Sequence, residues 1–285
     1  GIISGSSSVV QLDAWNWEDA TVKYDQGIHI NWPSPYTYGR WWLDEDRGLK
    51  VNNNYSSQVK GLKDFFEKSK ANMNVNKSMN IKSKAMKSII NGESTVYLYA
   101  DDEKEIVDGV TFLKKFGIAK IVIVGASESR NQLDFIKANN IPVIVKQPYR
   151  FPQSIDSDPD DTFLLAKHML DKGILVSIDP SGAPQSRVSI RNLPFYAGSF
   201  SSYGIDKETA LSLITLNPAK ILEIDNEFGS IEIGKSATLF ISKGDALDIV
   251  SNNVSHAFIS GRNISLETHQ TRLWRRYSNK YSNSQ

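Results

Sequence analysis

"KIVIVGA" (residues 120–126) and "IPVIVK" (residues 141–146) are short, continuous apolar runs, and they decide the fold class. A strand that is apolar on both faces is typical of a parallel sheet covered by helices, because each face then packs against other elements. Helical patterns flank the two runs at 103–116, 128–139 and 161–172. The sequence therefore predicts an α/β fold around one parallel sheet, either doubly wound or closed as a barrel.

Strand and helix patterns also alternate outside these two runs. The β-branched and aromatic residues of "TVYLYA" (95–100) favour a strand, and a further strand is predicted at 174–179. Apolar residues recur at helical spacing over 55–90 and 206–222. The alternation of strands and helices thus extends over most of the chain.

The period of the apolar residues changes beyond Asn226. "GSIEIGKSATLFIS" (229–242) and "VSHAFISGRNI" (254–264) alternate with a period of two. This pattern predicts a small antiparallel β unit. A basic helix is predicted after it, over residues 266–277.

Charge, hydropathy and cysteine content exclude several classes of function. Lys and Arg number 33 against 32 Asp and Glu, so no bulk charge favours binding to nucleic acid or to an anionic membrane. No apolar run approaches the roughly 20 residues that span a bilayer, so no membrane span is predicted. The absence of cysteine rules out disulfides, thiol catalysis and thiolate metal sites.

Residues 1–54 are irregular and rich in tryptophan. "GIISGSSSVVQL" (1–12) has the pattern of a loop feeding a strand, so we expect the chain to begin within a domain. Trp32, Trp41 and Trp42 lie near His29 in the sequence. Aromatic residues are favoured at buried interface cores, so these tryptophans predict a substrate wall or an oligomer interface. Packing of a long loop onto the domain is the alternative for each of them.

One motif match is rejected on its context. "GSIEIGKS" (229–236) satisfies the phosphate-loop pattern, in which backbone amides and a lysine cradle phosphates before a helix. Here Ile231 and Ile233 alternate like a strand and a second strand pattern follows, so the required helix is not predicted. The histidines lie too far apart in sequence to form a local metal-binding pair; they are His29, His168, His256 and His269.

The C-terminal half resembles a known family. Within residues 203–247, "TLNPAKIL" and "GSIEIGKSATL" are similar to the T-x-N-P-A-x-x-L and G-S-[IL]-E-x-G-K-x-A-x-L motifs of the amidohydrolase superfamily, specifically its imidazolonepropionase-like branch. The resemblance extends upstream to "RNLPFYAG" (191–198), "GIHINWP" (27–33) and "IISG" (2–5). We therefore expect it to cover nearly the whole chain.

The resemblance implies a distorted (β/α)8 barrel that lacks its first strand or strands here, with a small partial β-sandwich after it. Residues 1–225 would form the N-terminally incomplete barrel, 226–265 the β-sandwich segment, and 266–285 a C-terminal helix and tail. The resemblance also implies hydrolysis of C–N bonds in amides, cyclic amides or peptides. The family uses a metal-activated water, since a metal lowers the pKa of bound water and polarises the carbonyl.

The catalytic carboxylate of the family maps onto Asp179, in "LVSIDPSG" (175–182). A carboxylate at the end of a strand can take the proton of the attacking water. The sequence Asp-Pro-x-Gly is also good turn chemistry, so a structural role is the alternative for Asp179.

Two positions depart from the pattern of the metal-dependent members. The metal-dependent members carry histidine ligands at the ends of two consecutive strands, and these positions correspond here to Tyr99 and Gly125. The His-x-His pair of those members would precede Gly1. A phenol is a poor zinc ligand compared with an imidazole. The resemblance thus implies a divalent metal such as zinc, whereas the residues present do not support one, and no metal ligand is predicted.

Two functions from different classes follow. In the first, the chain is most of a C–N hydrolase, impaired unless a further segment or a partner completes the metal site. In the second, it is a catalytically inactive member of the fold that binds a ligand or a partner subunit. Asp179 is the acid/base candidate, and the substrate-pocket candidates are Tyr99, Lys146, Asn192 and His29. Lys146 ends a strand, where barrels carry active-site groups, although an ordinary exposed lysine is its alternative.

Partners and location are expected from the resemblance alone. We expect a small-molecule amide or peptide substrate, and a homo-oligomer or a pair with a related subunit. Relatives of this type are often exported in Gram-negative bacteria, which favours the periplasm, with the cytoplasm as the alternative.

Overall fold

The computed structural model describes residues 1–39, 48–72, 81–151, 157–180 and 186–282. In chain order the strands are β1 (Ile3–Val10), β2 (Thr21–Asn31), β3 (Tyr36–Tyr38), β4 (Leu49–Val51), β5 (Thr95–Ala100), β6 (Ile121–Gly125), β7 (Val143–Lys146), β8 (Val176–Asp179), β9 (Leu239–Ser242), β10 (Val254–Ile259) and β11 (Arg262–Asn263). The α-helices are α1 (Trp17–Ala20), α2 (Tyr55–Asn72), α3 (Ile81–Ile90), α4 (Glu103–Lys115), α5 (Leu133–Ala138), α6 (Asp161–Asp171), α7 (Ser186–Ser189), α8 (Leu193–Ser202), α9 (Lys207–Ser212), α10 (Leu216–Ile221) and α11 (His269–Ser282).

The largest sheet has six strands in the order β1-β2-β5-β6-β7-β8. β1 pairs antiparallel with β2, and each later pair is parallel. The carboxyl ends of parallel strands lie at one edge of a sheet, which we call the carboxyl edge. The register places Asn31 beside Tyr99 and Lys146 beside Asp179 at this edge.

One face of this sheet is covered by helices. Leu98, Ile123 and Val145 point into this layer and have no exposed surface. They belong to one continuous core with apolar residues of the surrounding helices, including Phe66, Met86, Leu113, Ile136, Met169 and Phe200. Burying one such side chain contributes about 1.5–3 kcal/mol, so this layer is the main source of stability.

The opposite face of the sheet carries aromatic and polar side chains. β5 places Tyr97 and Tyr99 there, next to His29 of β2. Val122 of β6 and Ile221 of α10 form a small apolar cluster with Tyr97. Side chains along a strand alternate between faces, so the same strands supply both the apolar core and this second surface.

A capping box fixes the turn from β5 into α4. Asp102 Oδ1 accepts a hydrogen bond from the Lys104 amide at 2.8 Å, and Glu105 Oε2 accepts from the amide of Asp102 at 3.4 Å. These bonds satisfy backbone donors that a helix start leaves unpaired. Because Asp102 is the capping residue, the side chain of Asp101 is left to face the carboxyl edge.

The predicted α/β fold with a parallel sheet is confirmed. The strands predicted at 95–100, 120–125, 142–146 and 174–179 correspond to β5, β6, β7 and β8. Within the described residues the sheet ends at β1 and β8, so closure into a barrel is not observed there.

The predicted continuous helix over 206–222 is wrong. The chain forms α9 and α10 instead, and Thr215 between them has φ −125° and ψ −85°, outside helical values. A continuous helix would place Pro218 in its interior, where proline removes a hydrogen bond and clashes with the preceding turn. The predicted helix over 55–90 is found as α2 and α3, and residues 73–80 lie outside the described residues.

The predicted antiparallel β unit beyond Asn226 is found as a three-stranded sheet in the order β11-β10-β9. The strand expected at Ile231 and Ile233 is wrong, because that segment forms turns and both side chains are exposed. Gly229 and Gly234 have φ of +92° and +94°, which interrupts an extended backbone. The basic C-terminal helix is found as α11.

The tryptophans near His29 have separate outcomes. Trp32 is buried, and its Nε1 donates to Tyr55 Oη at 3.1 Å. Its ring also packs against that of Phe112, so Trp32 packs onto the helices rather than forming an open wall. Trp41 and Trp42 lie outside the described residues. No helix in the described ranges is both long and apolar enough to cross a membrane.

Candidate functional site at the carboxyl edge

Four of the five predicted site residues lie at or near the carboxyl edge. Tyr99, Lys146 and Asp179 sit in the last two residues of β5, β7 and β8, and His29 lies on β2 beside Tyr99. Asp101, which follows β5, joins them through Lys146. We call these five residues the edge cluster.

His29 is held between two hydroxyl groups. Its Nδ1 lies 3.0 Å from Tyr99 Oη, and its Nε2 lies 2.7 Å from Ser7 Oγ on β1. The ring also stacks on Tyr97 with a centroid distance of 5.0 Å. Burial lowers the pKa of His29 below its ordinary value, which favours a neutral imidazole. A neutral imidazole has one donor and one acceptor nitrogen, so one hydroxyl donates to it and the other accepts from it.

Tyr99 keeps its phenol proton. Burial raises the pKa of the hydroxyl above its ordinary value, and the negative charge of Asp179 raises it further. The phenol is therefore a neutral donor beside a carboxylate and a neutral imidazole. Such a group can donate a hydrogen bond to a carbonyl oxygen, which is one way in which enzymes stabilise developing negative charge.

Lys146 forms an ion pair with Asp101. Lys146 Nζ donates to Asp101 Oδ2, while the Ser127 hydroxyl donates to Oδ1 at 2.6 Å. Both members of the ion pair are mostly buried, with 23% and 27% of their side chains exposed. Lys146 is therefore not the ordinary exposed lysine that the sequence left as an alternative.

Gly125 makes room for Asp101. A Cβ at position 125 would lie 2.5 Å from Asp101 Oδ1, and the backbone there has φ of +109°. Only glycine adopts that conformation without strain. The position where the resemblance implies a histidine ligand thus leaves room for the Asp101 carboxylate.

Asp101 was missed as a site residue in the sequence. Of the two aspartates that follow "TVYLYA", Asp102 caps the helix α4 and Asp101 does not. The useful signal was the presence of two consecutive aspartates, since one residue is enough to cap α4. Asp101 is the first residue after a buried parallel strand, where functional groups collect.

Arg150 adds a second cation beyond the end of β7. Burial lowers the pKa of its guanidinium, and the charges of Asp101 and Glu128 oppose that effect. Arginine remains charged in proteins, so the group stays a cation. The carboxyl edge thus carries cations and carboxylates together rather than a field of one sign.

A cleft of about 880 Å³ opens next to the edge cluster. We call it the α8 cleft, because its lining includes Tyr196 and Ser199 of α8 and Asn192, which directly precedes that helix. Gln147 and Pro180, which directly follow Lys146 and Asp179, also line the cleft. The structure thus places Asn192 in the α8 cleft, apart from the other four predicted site residues, which belong to the edge cluster.

The residues of the edge cluster do not fit a divalent metal ion. Both carboxylate oxygens of Asp101 are engaged by Lys146 and Ser127, and the phenol of Tyr99 keeps its proton. Gly125 offers no donor atom. Across the described ranges, no group of three or more His, Asp or Glu side chains could hold a metal ion.

Comparisons with known proteins support the resemblance that the motifs predicted. The sequence pattern of the Amidohydrolase family matches residues 187–264. An imidazolonepropionase from Picrophilus torridus is 28% identical over 169 residues, which cover 58% of this chain and 41% of that protein. The matched region thus spans less than half the length of this curated relative.

Solved structures show a similar fold. An amidohydrolase from Thermotoga maritima MSB8 has a TM-score of 0.75 and 21% sequence identity, over 93% of this chain and 69% of that one. An uncharacterized protein has a TM-score of 0.52 and 11% identity, over 86% of this chain and 56% of its own. At these identities the likeness concerns the fold alone.

The predicted resemblance is therefore confirmed. Taken together, the family match, the imidazolonepropionase relative and the amidohydrolase structure support the resemblance of this chain to the amidohydrolase superfamily and, within it, to the imidazolonepropionase-like branch.

Proposed function

We propose that this chain is part of a hydrolase of C–N bonds in amides, cyclic amides or peptide-like molecules. The family match and the imidazolonepropionase relative support this reaction class. We also propose that its sheet belongs to a (β/α)8 barrel followed by a β-sandwich segment, with boundaries at residues 225 and 265. The fold similarity to the Thermotoga maritima amidohydrolase supports the barrel.

The edge cluster is the observation that carries the proposal. Asp179 accepts the proton of a water that attacks the substrate carbonyl, and the C–O bond forms as the proton leaves. Tyr99 donates a hydrogen bond to the carbonyl oxygen as negative charge develops there. The C–N bond then breaks, and Asp179 returns the proton to the leaving nitrogen. His29 orients the Tyr99 hydroxyl through the 3.0 Å contact.

Lys146 and Asn192 are proposed to bind substrate. Lys146 sits beside Asp179 in the strand register, and Asn192 lines the α8 cleft next to Pro180. A substrate that extends from the edge cluster into the α8 cleft would contact both residues.

A catalytically inactive binding protein is the second candidate function. Tyr99 and Gly125 stand where the resemblance expects metal ligands, and Lys146 neutralises Asp101. These features support a barrel that has kept its fold and lost metal chemistry. The partner would be a small ligand or a related subunit, in a homo-oligomer or a mixed pair, and export to the periplasm is part of the same proposal.

Substitution of the proposed proton acceptor tests the hydrolase proposal. The complete protein is purified without chelators and assayed on dipeptides, N-acyl amino acids and cyclic amides, with its metal content measured by elemental mass spectrometry. We expect Asp179→Asn to lower turnover by about 10²–10⁴-fold, which is the usual contribution of a general base. Asp134→Asn is the matched control, because Asp134 is a surface residue paired with Lys172 on the outside of the fold.

Two results would contradict the hydrolase proposal. Unchanged turnover in Asp179→Asn would remove Asp179 from the reaction. No turnover by the wild-type protein on any of these substrates would favour the binding protein instead.

A further inference from the structure

We propose that the α8 cleft binds a small molecule that donates an N–H hydrogen bond to Gln147 and places an apolar group against Tyr149 and Tyr196. The α8 cleft is also where the proposed hydrolase substrate would extend, so the inference rests on the proposed function and adds the chemistry of the ligand. Its test is a binding measurement that does not require turnover, so a failure of this inference can be distinguished from a failure of the hydrolase proposal.

Gln147 has a buried acceptor without a partner. The residue is 6% exposed, and in the described part of the chain its Oε1 has no hydrogen-bond partner. Its Nε2 donates to the carbonyl oxygen of Tyr149 at 3.0 Å, which fixes the orientation of the amide. Buried polar atoms are nearly always paired, and an unpaired one costs free energy. An acceptor left unpaired in a residue that lines a large cleft is explained if a ligand supplies the donor.

The lining of the α8 cleft includes aromatic rings. The rings of Tyr149 and Tyr196 lie 6.0 Å apart at an angle of 53°, and Leu247 adds an aliphatic surface. The Tyr149 hydroxyl is hydrogen-bonded to Ser199 at 2.7 Å, which holds the ring in place. The cleft has the volume of a small-molecule site, and its lining combines these apolar surfaces with polar and charged side chains.

The charged side chains of the α8 cleft favour a ligand that donates N–H hydrogen bonds over an anionic ligand. Its lining includes the carboxylates of Asp245 and Asp248 and the ammonium of Lys207, and Lys207 is already paired with Asp245 at 2.6 Å. Asp248 leaves the lining with net negative charge, which disfavours an anionic ligand. The preferred ligand is thus an amine or a primary amide with an aromatic or aliphatic body.

Binding of phenylalaninamide tests the site. This probe carries an aromatic ring, an ammonium group and a primary amide, whereas 3-phenylpropionate has the same ring and no N–H donor. We expect phenylalaninamide to bind to the complete protein, and 3-phenylpropionate to bind at least about tenfold more weakly, by calorimetry or chemical-shift titration. Gln147→Met keeps a side chain of similar size without the acceptor, and it should weaken phenylalaninamide binding by about tenfold.

Two further variants keep the test decisive. Gln270→Met makes the same chemical change at an exposed position of α11, and it should leave binding unchanged. Ile249→Trp places a large ring on an exposed residue of the cleft lining, and it should block binding even if Gln147→Met fails to fold. The proposal is overturned if the wild-type protein does not bind phenylalaninamide, if 3-phenylpropionate binds equally well, or if Gln147→Met and Ile249→Trp leave binding unchanged.

Discussion

The two faces of the six-stranded sheet are built from the same strands and have different roles. Along β5, Val96 and Leu98 enter the helix-covered core, while Tyr97 and Tyr99 face the other side. The side chains of the first pair belong to the apolar core. Each tyrosine of the second pair has a polar partner, since Tyr97 Oη donates to Gln26 and Tyr99 Oη is hydrogen-bonded to His29. We infer that one face mainly supplies stability and that the other positions polar groups.

A cavity in the helix-covered face should have the largest effect on stability. Leu98 has no exposed surface and lies between the sheet and the helices. Leu98→Ala should lower the free energy of unfolding by about 2–5 kcal/mol, because it removes buried methyl groups and leaves a cavity. Urea unfolding followed by circular dichroism measures the change.

Leu12→Ala is the matched control for this prediction. Leu12 is 94% exposed, so its truncation should change the free energy of unfolding by less than about 0.5 kcal/mol. Equal losses in the two variants would mean that the helix-covered face does not dominate stability.

The helix-covered face was largely predictable from the sequence. Its strands are continuous apolar runs, and its helices have clear apolar periodicity, so short-range pattern was enough to identify β5 to β8. The pattern failed at Pro218, which splits a long helical pattern into α9 and α10. It also failed at Ile231 and Ile233, where two glycines with positive φ interrupt the alternation of a strand.

The edge cluster was only partly predictable. Lys146 was identified because it ends a strand, which is a local signal, whereas Tyr99 and Asp179 were identified from the family resemblance. The contacts that define their chemistry join residues far apart in the chain, such as Lys146 with Asp101 and His29 with Ser7. The role of Gly125 depends on the close approach of Asp101, a distance that no sequence spacing encodes.

Loss of one hydroxyl from the polar face of the sheet, which carries Tyr97 and Tyr99, should lower the free energy of unfolding less than the core cavity does. The Tyr97 hydroxyl donates to Gln26 Oε1 at 2.6 Å, and Gln26 is 2% exposed. Burial raises the pKa of Tyr97 to about 12, so the hydroxyl remains a donor at neutral pH. Tyr97→Phe should cost about 1–3 kcal/mol, because it leaves a buried acceptor without its donor.

Tyr24→Phe controls for the removal of a hydroxyl as such. Tyr24 is 58% exposed, so this variant should unfold at nearly the wild-type urea concentration. If Tyr97→Phe were as stable as Tyr24→Phe, the hydrogen bonds of the polar face would not contribute to stability. The contrast between the two faces would then be one of apolar burial alone.

The smallest expected effect is a dependence of stability on pH that arises from His29. Burial lowers the pKa of His29 in the folded protein below the value of 6.5 that we assume for the unfolded chain. Below about pH 6.5 the unfolded chain therefore binds more protons than the folded protein, so the free energy of unfolding falls as the pH falls. His29→Gln removes this titration, so the free energy of unfolding of this variant should fall less steeply with decreasing pH. Urea unfolding at several pH values from neutral to acidic measures the difference.

His269→Gln is the matched control, because His269 is exposed on α11. The control variant should keep the wild-type decrease, whereas His29→Gln should lose part of it. An equal slope in the wild-type protein and His29→Gln would mean that His29 does not resist protonation in the folded state. Its two hydroxyl contacts would then hold an imidazolium as readily as an imidazole, and the edge cluster would carry one more positive charge at acidic pH. In that case the Tyr99 hydroxyl would lie next to a protonated His29 at Nδ1. The proposed role of a neutral His29 in orienting the Tyr99 hydroxyl would then have to be abandoned.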